Sequence, residues 1–223
     1  MILDKIAQIR YRTLAAAKRT GRDPALVRIV AVTKYANLEQ VRELLSSGAV
    51  DEVGENRVQD VEQKKLELGP LADKVRWRLI GHLQTNKAKK AAQLFDAVDS
   101  IDSARIAEAL DKAVPEGNIL PVLLQVKLSE KETQAGAAPE ELEALLDAVT
   151  RLPRLKLRGL MAIAPDLEPV EAVRPHFKRM RALFERHFAG RQDAELSMGM
   201  SRDFELAVEE GATTIRIGSA LFD

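Results

Sequence analysis

The sequence predicts an α/β protein, and within that class a single (β/α)8 TIM barrel with an extra N-terminal helix. Three observations support this fold. Eight short runs rich in β-branched residues alternate with helical patterns, which is typical of parallel strands covered by helices. The length of 223 residues suits one barrel. No linker or low-complexity stretch interrupts the alternation, so we expect one domain over residues 1–223.

The first elements establish the unit that recurs along the chain. An amphipathic helix is predicted over residues 2–20, because apolar residues recur there at steps of three and four. A turn signal at residues 21–24 precedes the first strand, residues 27–32. Asn37 and Gln40 then form a capping-box pattern at the start of a second helix. One strand followed by one helix is therefore the repeating unit.

Seven further strands and six further helices follow in alternation. The strand-like runs are residues 50–53, 75–80, 97–101, 121–128, 155–163, 195–198 and 213–217. The helical patterns are residues 58–68, 86–94, 103–114, 139–151, 170–188 and 202–210. The chain ends a few residues after the eighth strand, so we expect the N-terminal helix to replace the eighth outer helix. An open Rossmann-type sheet is the alternative, but no strand is followed by a G-x-G-x-x-G pattern.

Composition and charge exclude several classes of protein. Lys plus Arg and Asp plus Glu each number 34, so the formal net charge is zero, which argues against nucleic acid or an anionic membrane as partner. The absence of cysteine excludes disulfides, Cys-ligated zinc and iron–sulfur clusters. No signal peptide or membrane-spanning run is present in the sequence, and we therefore expect a cytoplasmic protein.

Lys34 is the first candidate for chemistry, because reactive groups in such barrels lie at the carboxyl ends of the strands. It ends the first strand, and alternation places Val30, Val32 and Lys34 on one face. A lysine amine in a desolvated barrel mouth can form a Schiff base with a carbonyl group. A solvated lysine at a strand end is the alternative interpretation.

Small residues follow the last two strands. Gly199 and Ser201 follow the seventh strand, and Gly218 and Ser219 follow the eighth. Backbone N–H groups in such loops are free to bind an anion, and the loops after strands seven and eight are the recurrent phosphate site of these barrels. The alternative is structural, with Ser201 as an ordinary N-cap and Gly218 in a tight turn.

Arg216 is predicted to point into the barrel together with Thr214 and Gly218. A buried guanidinium is costly without a partner. That partner is either an acid such as Glu55 or an atom of a ligand.

No metal site is predicted. The three histidines, His82, His176 and His187, have no metal-ligand spacing, and only His82 lies at a strand end. The basic runs lack interleaved aromatic residues, so nucleic-acid binding is not expected.

The strand ends also carry six motifs in a fixed order that resemble one family. They are Lys34 after its short strand, GEN at 54–56, IGHLQTNK at 80–87, RGLMA at 158–162, LSMGMS at 196–201 and IRIG at 215–218. In this order they resemble the pyridoxal phosphate homeostasis protein family, relatives of the N-terminal barrel of alanine racemase. The resemblance runs from about residue 27 to residue 222 and so covers most of the chain.

The resemblance implies a barrel that binds pyridoxal 5′-phosphate (PLP) as a Schiff base on Lys34. It further implies that Ser201, Gly218 and Ser219 hold the phosphate group and that Arg216 faces the pyridine nitrogen. A permanent cation there would disfavour protonation of the ring and weaken PLP as an electron sink.

Three further pocket residues are implied only by the resemblance. They are Asn56, Asn86 and Met198. Lys127 departs from the family, which commonly has asparagine at that position, and Gln134 departs from a frequent lysine. Lys127 would point at the same mouth as Lys34, where it either competes for the aldehyde or alters the charge of the pocket.

The function implied by the resemblance is intracellular PLP homeostasis, which means carriage, buffering and delivery of the cofactor. We expect no reaction of its own, no catalytic residues, a monomer, and transient contacts with PLP-dependent apoenzymes. Related racemases carry a catalytic tyrosine on a further domain, whereas here Tyr11 lies on the first helix and Tyr35 alternates away from Lys34. The alternatives are a weak PLP-dependent amino-acid racemase or lyase, and a Schiff-base aldolase that works without PLP.

Overall fold

The computed structural model describes residues 1–129 and 134–223. Within these ranges eight strands pair in parallel and in chain order, and the last pairs with the first to close a barrel. The strands are β1 Arg28–Val32, β2 Glu52–Glu55, β3 Arg76–Leu79, β4 Ala97–Ile101, β5 Leu120–Lys127, β6 Leu155–Ile163, β7 Glu195–Ser197 and β8 Thr214–Ile217. The predicted (β/α)8 barrel is confirmed.

Helices surround the barrel. They are α1 Ile2–Arg19, α2 Leu38–Ser47, α3 Val58–Leu68, α4 Ala88–Leu94, α5 Ala104–Ala113, α6 Leu142–Thr150, α7 Arg174–Phe188, α8 Phe204–Glu209 and the single turn α9 Ser219–Phe222. Short 3-10 helices occupy Pro24–Leu26, Gly69–Lys74, Thr85–Lys87, Pro139–Glu141 and Val170–Val173. In the described part of the chain, no helix combines the length and apolarity that crossing a membrane requires.

The N-terminal helix α1 occupies the gap that the short α9 leaves in the outer ring. It packs against α8, α2 and α9. Its apolar face is buried, with Ile6 and Ile9 each 2% exposed. Arg12 on α1 also pairs with Glu205 on α8, with Nη2 and Oε2 3.0 Å apart. The extra N-terminal helix is therefore part of the barrel's outer layer, as predicted.

The strand β2 lies two residues further along than predicted, at Glu52–Glu55 rather than residues 50–53. Both glutamates are buried, Glu52 at 2% exposure and Glu55 at 1%. Because these two residues are charged, a search for runs of apolar residues does not detect this strand. Arg78 is a partner of Glu52, and Lys64 is a partner of Glu55, so both acids are tolerated inside the fold.

Charged side chains fill the barrel interior toward the amino ends of the strands. Arg78 on β3 is 5% exposed. Its Nη2 atom donates to Asp99 Oδ1 at 2.8 Å, and its Nε atom donates to Asp99 Oδ2 at 2.9 Å. It also donates to Glu52 at 2.9 Å and to Glu195 at 2.6 Å. Burial lowers the pKa of Arg78, but the charges and hydrogen bonds of Asp99 and Glu195 raise it by more. The pKa of Arg78 therefore lies above its usual value. This network closes one end of the barrel and leaves the other end for a ligand.

Candidate functional site

A cavity of about 570 Å³ opens at the carboxyl ends of the strands, a size that suits a small-molecule ligand. It is lined by residues from the loops after several strands, including β1, β2, β3, β6, β7 and β8. Six of the eight residues singled out from the sequence line this cavity: Lys34, Asn56, Ser201, Arg216, Gly218 and Ser219. Parallel strands bring distant parts of the sequence to one mouth.

Lys34 lies just after the end of β1, and the residue before it is held by hydrogen bonds. The preceding Thr33 is buried, and its hydroxyl donates to Glu55 Oε1 at 2.5 Å. Lys64 on α3 donates to the carbonyl oxygen of Thr33 at 2.9 Å. Lys34 itself is exposed at the cavity wall, so the expectation of a desolvated amine is wrong. The backbone below Lys34 is fixed, whereas its amine remains accessible to a ligand.

Tyr35 lines the same cavity, and the prediction that it points away from Lys34 is wrong. The Nζ atom of Lys34 lies over the Tyr35 ring, 4.7 Å from its centroid. The strand ends at Val32 and the chain then turns, so the two-residue alternation of a strand does not extend to these positions. Tyr35 is 87% exposed, so this cation–π contact lies at the surface of the cavity mouth.

The loops after β7 and β8 are joined by Ser201. Its Oγ atom accepts hydrogen bonds from the backbone N–H groups of Gly218, at 3.3 Å, and Ala220, at 3.2 Å. Ser201 is not an ordinary N-cap, because α8 begins at Phe204 behind Asp203. Its hydroxyl instead bonds across to the other loop. The Ser201 hydroxyl and the N–H groups of Gly218 and Ala220 thus lie together beside the cavity, joined by hydrogen bonds of 3.2 to 3.3 Å, and hydroxyl and N–H donors of this kind suit a phosphate group.

Asn56 reaches the cavity because Gly81 allows a close approach between two loops. A Cβ atom at Gly81 would lie 2.2 Å from the carbonyl oxygen of Asn56. The carbonyl oxygen of Gly81 in turn accepts from the Ser100 hydroxyl at 2.6 Å. The loops after β2 and β3 are therefore packed backbone to backbone at this point.

Arg216 lies inside the barrel, 3% exposed, at the floor of the cavity. Its guanidinium donates to Ser197 Oγ and to the carbonyl oxygen of Ala162, both at 2.8 Å. Burial lowers the pKa of Arg216 to about 10, an effect that Asp99 and Asp203 partly offset. The side chain is still a cation at neutral pH.

The hydrogen-bond partners of Arg216 in the described part of the chain are neutral oxygen atoms. Among the described residues, no carboxylate oxygen lies within salt-bridge distance of its guanidinium. Glu55, the acid considered from the sequence, pairs with Lys64 and accepts from Thr33 instead. The interpretation that Glu55 neutralises Arg216 is therefore wrong. The protein acceptors of Arg216 are Ser197 Oγ and the Ala162 carbonyl oxygen, and a ligand atom as a further partner stays a prediction.

Asn86 and Met198 are not brought to the cavity wall. Asn86 is exposed on the 3-10 helix Thr85–Lys87. Met198 is fully buried in the apolar core. Lys127, at the end of β5, is half-buried and does not line the cavity either.

The cavity also contains polar side chains that the sequence analysis did not assign to a pocket. His82 follows β3, and its Nδ1 atom lies 3.2 Å from Asp102 Oδ2. Gln125 on β5 donates to the carbonyl oxygen of Ala135 at 2.9 Å. Asp203 lines the cavity from the loop after β7. His82 and Gln125 lie at or near strand ends, which was the signal that could have identified them, whereas Asp203 directly precedes α8. In the described ranges, no group of His, Asp and Glu is arranged to hold a metal ion.

These features define a class of protein: a (β/α)8 barrel with an accessible lysine amine, a buried arginine and two loops with hydroxyl and N–H groups at one mouth. The model of the alanine racemase N-terminal domain family matches residues 5–223. The pyridoxal phosphate homeostasis protein of Pseudomonas aeruginosa is 42% identical over 222 residues, which are 99% of this chain and 94% of that protein. The Aquifex aeolicus protein of that name is 37% identical over 98% of this chain and 96% of its own length. This chain belongs to the pyridoxal phosphate homeostasis protein family.

Solved structures agree with this assignment. PipY of Synechococcus elongatus PCC7942, solved with PLP bound, is 36% identical with a TM-score of 0.84, and the match covers 100% of both chains. Alanine racemase of Clostridium difficile 630 matches with a TM-score of 0.70 at 15% identity, over 98% of this chain and 55% of the racemase. The second match shows a shared barrel fold alone.

Proposed function

We propose that this protein binds PLP as a Schiff base on Lys34 and serves PLP homeostasis by carrying, buffering and delivering the cofactor. The observation that carries this proposal is that the Lys34 amine and the Ser201 loop line one cavity of about 570 Å³. The amine suits the aldehyde of PLP, and the loops after β7 and β8 suit its phosphate. Relatives named for PLP homeostasis, and PipY solved with PLP bound, support the proposal.

Each residue has a defined task in this proposal. When bound, PLP supplies an aldehyde that condenses with amines and a ring that accepts electrons. Lys34 provides the amine. Ser201, Gly218 and Ser219 bind the phosphate through hydroxyl and N–H groups. Arg216 faces the ring nitrogen as a cation, with no carboxylate in contact among the described residues, so it does not support a proton on that nitrogen.

Carriage rather than catalysis is the role that this arrangement favours. A PLP ring whose nitrogen lies next to a cation stays unprotonated and is a poor electron sink. The relatives are also named for homeostasis rather than for a reaction. We further propose that residues 1–223 act as one PLP-binding unit, as a monomer that makes transient contacts with apoenzymes. The cytoplasmic location expected from the sequence stays a prediction.

The test is a visible absorption spectrum of the purified protein before and after addition of PLP. A yellow Schiff-base band should form in the wild type and be absent in Lys34→Ala. Lys127→Ala is the matched control and should keep the band, because Lys127 does not line the cavity. Borohydride reduction followed by peptide mapping should place the cofactor on Lys34.

Two results would contradict the proposal. One is an unchanged spectrum in Lys34→Ala with the cofactor mapped to Lys127. The other is a wild-type protein that takes up no PLP at all, which would favour an aldolase that works without the cofactor.

A weak PLP-dependent racemase or lyase is the second candidate, and one observation favours it. His82, held by Asp102, lines the cavity together with Lys34 and places a second base at the same mouth. The activity would be supported if amino acids lost their α-deuterium faster with this protein than with free PLP. The faster exchange should be absent in His82→Gln.

A further inference from the structure

A buried carboxylate lies within the loop that is proposed to hold the phosphate. Asp203 is two residues from Ser201, is 8% exposed, and lines the same cavity as Ser201 and Gly218. We propose that ionised Asp203 weakens phosphate binding at these loops, so that anion binding is coupled to uptake of a proton by Asp203 and the cofactor stays releasable. The proposal rests on the proposed function for the identity of the ligand.

The position of Asp203 is fixed by its own loop. Its Oδ1 atom accepts from the backbone N–H of Met200 at 2.6 Å, and its own N–H donates to the Met200 carbonyl oxygen at 3.1 Å. These two hydrogen bonds close the turn that contains Ser201. Because the turn is closed on both sides, the carboxylate stays beside the phosphate loop.

The cations around Asp203 do not neutralise it by direct contact. In the described part of the chain, none lies within salt-bridge distance of its carboxylate. Arg216 on β8 donates to Ser197 and Ala162 instead. Arg202 in the same loop pairs with Asp166 and Glu168 in the loop after β6. Within the described ranges, the close partners of the carboxylate are therefore backbone N–H groups, with Met200 at 2.6 Å.

Other titratable groups also face the cavity. Lys34 and His82 line it from the loops after β1 and β3, and Asp223 lines it next to α9. Burial raises the pKa of Asp203, and the hydrogen bond from Met200 and the charge of Arg216 offset this in part. The carboxylate therefore gains a proton more readily than an exposed aspartate does.

The coupling has a definite sign. A dianion bound at Ser201 and Gly218 repels an ionised Asp203, and the repulsion disappears when Asp203 is protonated. By linkage, an anion that raises the pKa of Asp203 by one unit binds about tenfold more weakly to the ionised form than to the protonated form. Anion affinity should therefore fall as the pH rises through the pKa of Asp203.

The test uses sulfate as the probe, because sulfate stays a dianion over the whole range. Its affinity is measured by calorimetry from about pH 4.5 to about pH 7.5 in the wild type and in Asp203→Asn. Asparagine keeps the acceptor oxygen for the Met200 N–H, so the turn is retained. Asp203→Asn should bind sulfate about tenfold more tightly than the wild type at the upper pH, and the two affinities should converge as the pH falls.

Asp166→Asn is the matched control. Asp166 lines the same cavity, but its side chain is 83% exposed and screened by water. The same chemical change there should leave the pH dependence of sulfate binding unaltered. His82 is present and unchanged in both proteins, so it contributes equally to the two affinities.

A second measurement covers the case in which Asp203→Asn fails to fold. In the His82→Gln background, calorimetry in two buffers of different ionisation enthalpy gives the number of protons taken up with each sulfate. Uptake of a fraction of a proton supports the proposal, and zero uptake over the whole range overturns it.

Two further results would overturn the proposal: equal affinities of the wild type and Asp203→Asn at every pH, or no sulfate binding in either protein. The Schiff-base spectrum reports on Lys34 independently. Failure of the Asp203 proposal is therefore distinguishable from failure of PLP binding.

Discussion

Lys34 and Arg216 have opposite environments within one cavity. Lys34 is exposed, and its amine rests on the Tyr35 ring. Arg216 is 3% exposed and held by two acceptors, Ser197 Oγ and the Ala162 carbonyl oxygen. An accessible amine can exchange a bound carbonyl compound, whereas a fixed guanidinium presents one constant charge at the floor of the cavity. This division suits a carrier that must bind and release its cofactor.

A single glycine controls how the second and third loops meet. Gly81→Ala places a Cβ atom 2.2 Å from the Asn56 carbonyl oxygen, so the loop must move. We expect a loss of about 2 kcal/mol in the free energy of unfolding and weaker PLP binding, since Asn56 lines the cavity. Urea denaturation and a PLP titration measure the two effects.

Gly21→Ala is the control for this substitution. Gly21 has a φ of +69° but no atom within 4 Å of an added Cβ, so any loss comes from backbone strain alone. PLP affinity should not change in this variant. Unchanged PLP affinity in Gly81→Ala as well would show that Asn56 does not contribute to the site.

At the scale of the elements, a buried ion pair joins β2 and α3 to Thr33, the residue that follows β1. Glu55 on β2 is 1% exposed, pairs with Lys64 on α3, and accepts from the Thr33 hydroxyl at 2.5 Å. Lys64 also donates to the Thr33 carbonyl oxygen. The pair therefore anchors the residue that directly precedes Lys34.

Lys64→Met should leave the Glu55 carboxylate buried without its cation. We expect a loss of about 3 kcal/mol in the free energy of unfolding and a weaker Schiff-base band, because the strand end below Lys34 loosens. Lys90→Met is the control: Lys90 pairs with Glu62 on the surface and should cost less than about 1 kcal/mol. Equal losses in the two variants, measured by urea denaturation, would contradict a structural role for the buried pair.

Sequence patterns predicted the elements well where burial follows hydropathy. The segment predicted as a helix over residues 170–188 buries one face, as the helical period requires: Val173, Phe177, Met180, Phe184 and Phe188. The capping box at the start of α2 is also present, with both hydrogen bonds formed. The register of β2 was missed because its buried residues include two acids, whose partners lie elsewhere in the sequence.

At the scale of the whole molecule, the barrel divides its interior between stability and binding. The network around Arg78 fills the amino end, whereas the cavity with Lys34 opens at the carboxyl end. Glu195 belongs to the network. Burial opposes its ionisation, but the charges and hydrogen bonds of Arg78 and Arg28 outweigh burial and lower its pKa.

The stabilising effect of Glu195 should depend on pH in a defined direction. Because its folded-state pKa is lowered, its contribution is fully present above the unfolded value of about 4.3 and is lost as the pH falls through the folded value. Glu195→Gln should therefore lose about 3 kcal/mol at pH 7, and the difference from the wild type should shrink below about pH 4.

Urea denaturation of both proteins across this pH range measures the difference. PLP affinity at neutral pH should be unchanged in Glu195→Gln, since the network and the cavity lie at opposite ends of the barrel. A difference in stability that grows on acidification would contradict the assigned role of Glu195.

The sequence by itself determined the barrel and the residues at its mouth. Alternating strand and helix periods are local properties, and parallel strands carry their carboxyl ends to one side, so Lys34, Ser201 and Gly218 were predicted to converge. The tertiary structure alone decided which partners these side chains have. Arg216 bonds to Ser197 rather than to Glu55, because partners inside a barrel depend on the stagger of strands that are far apart in the chain.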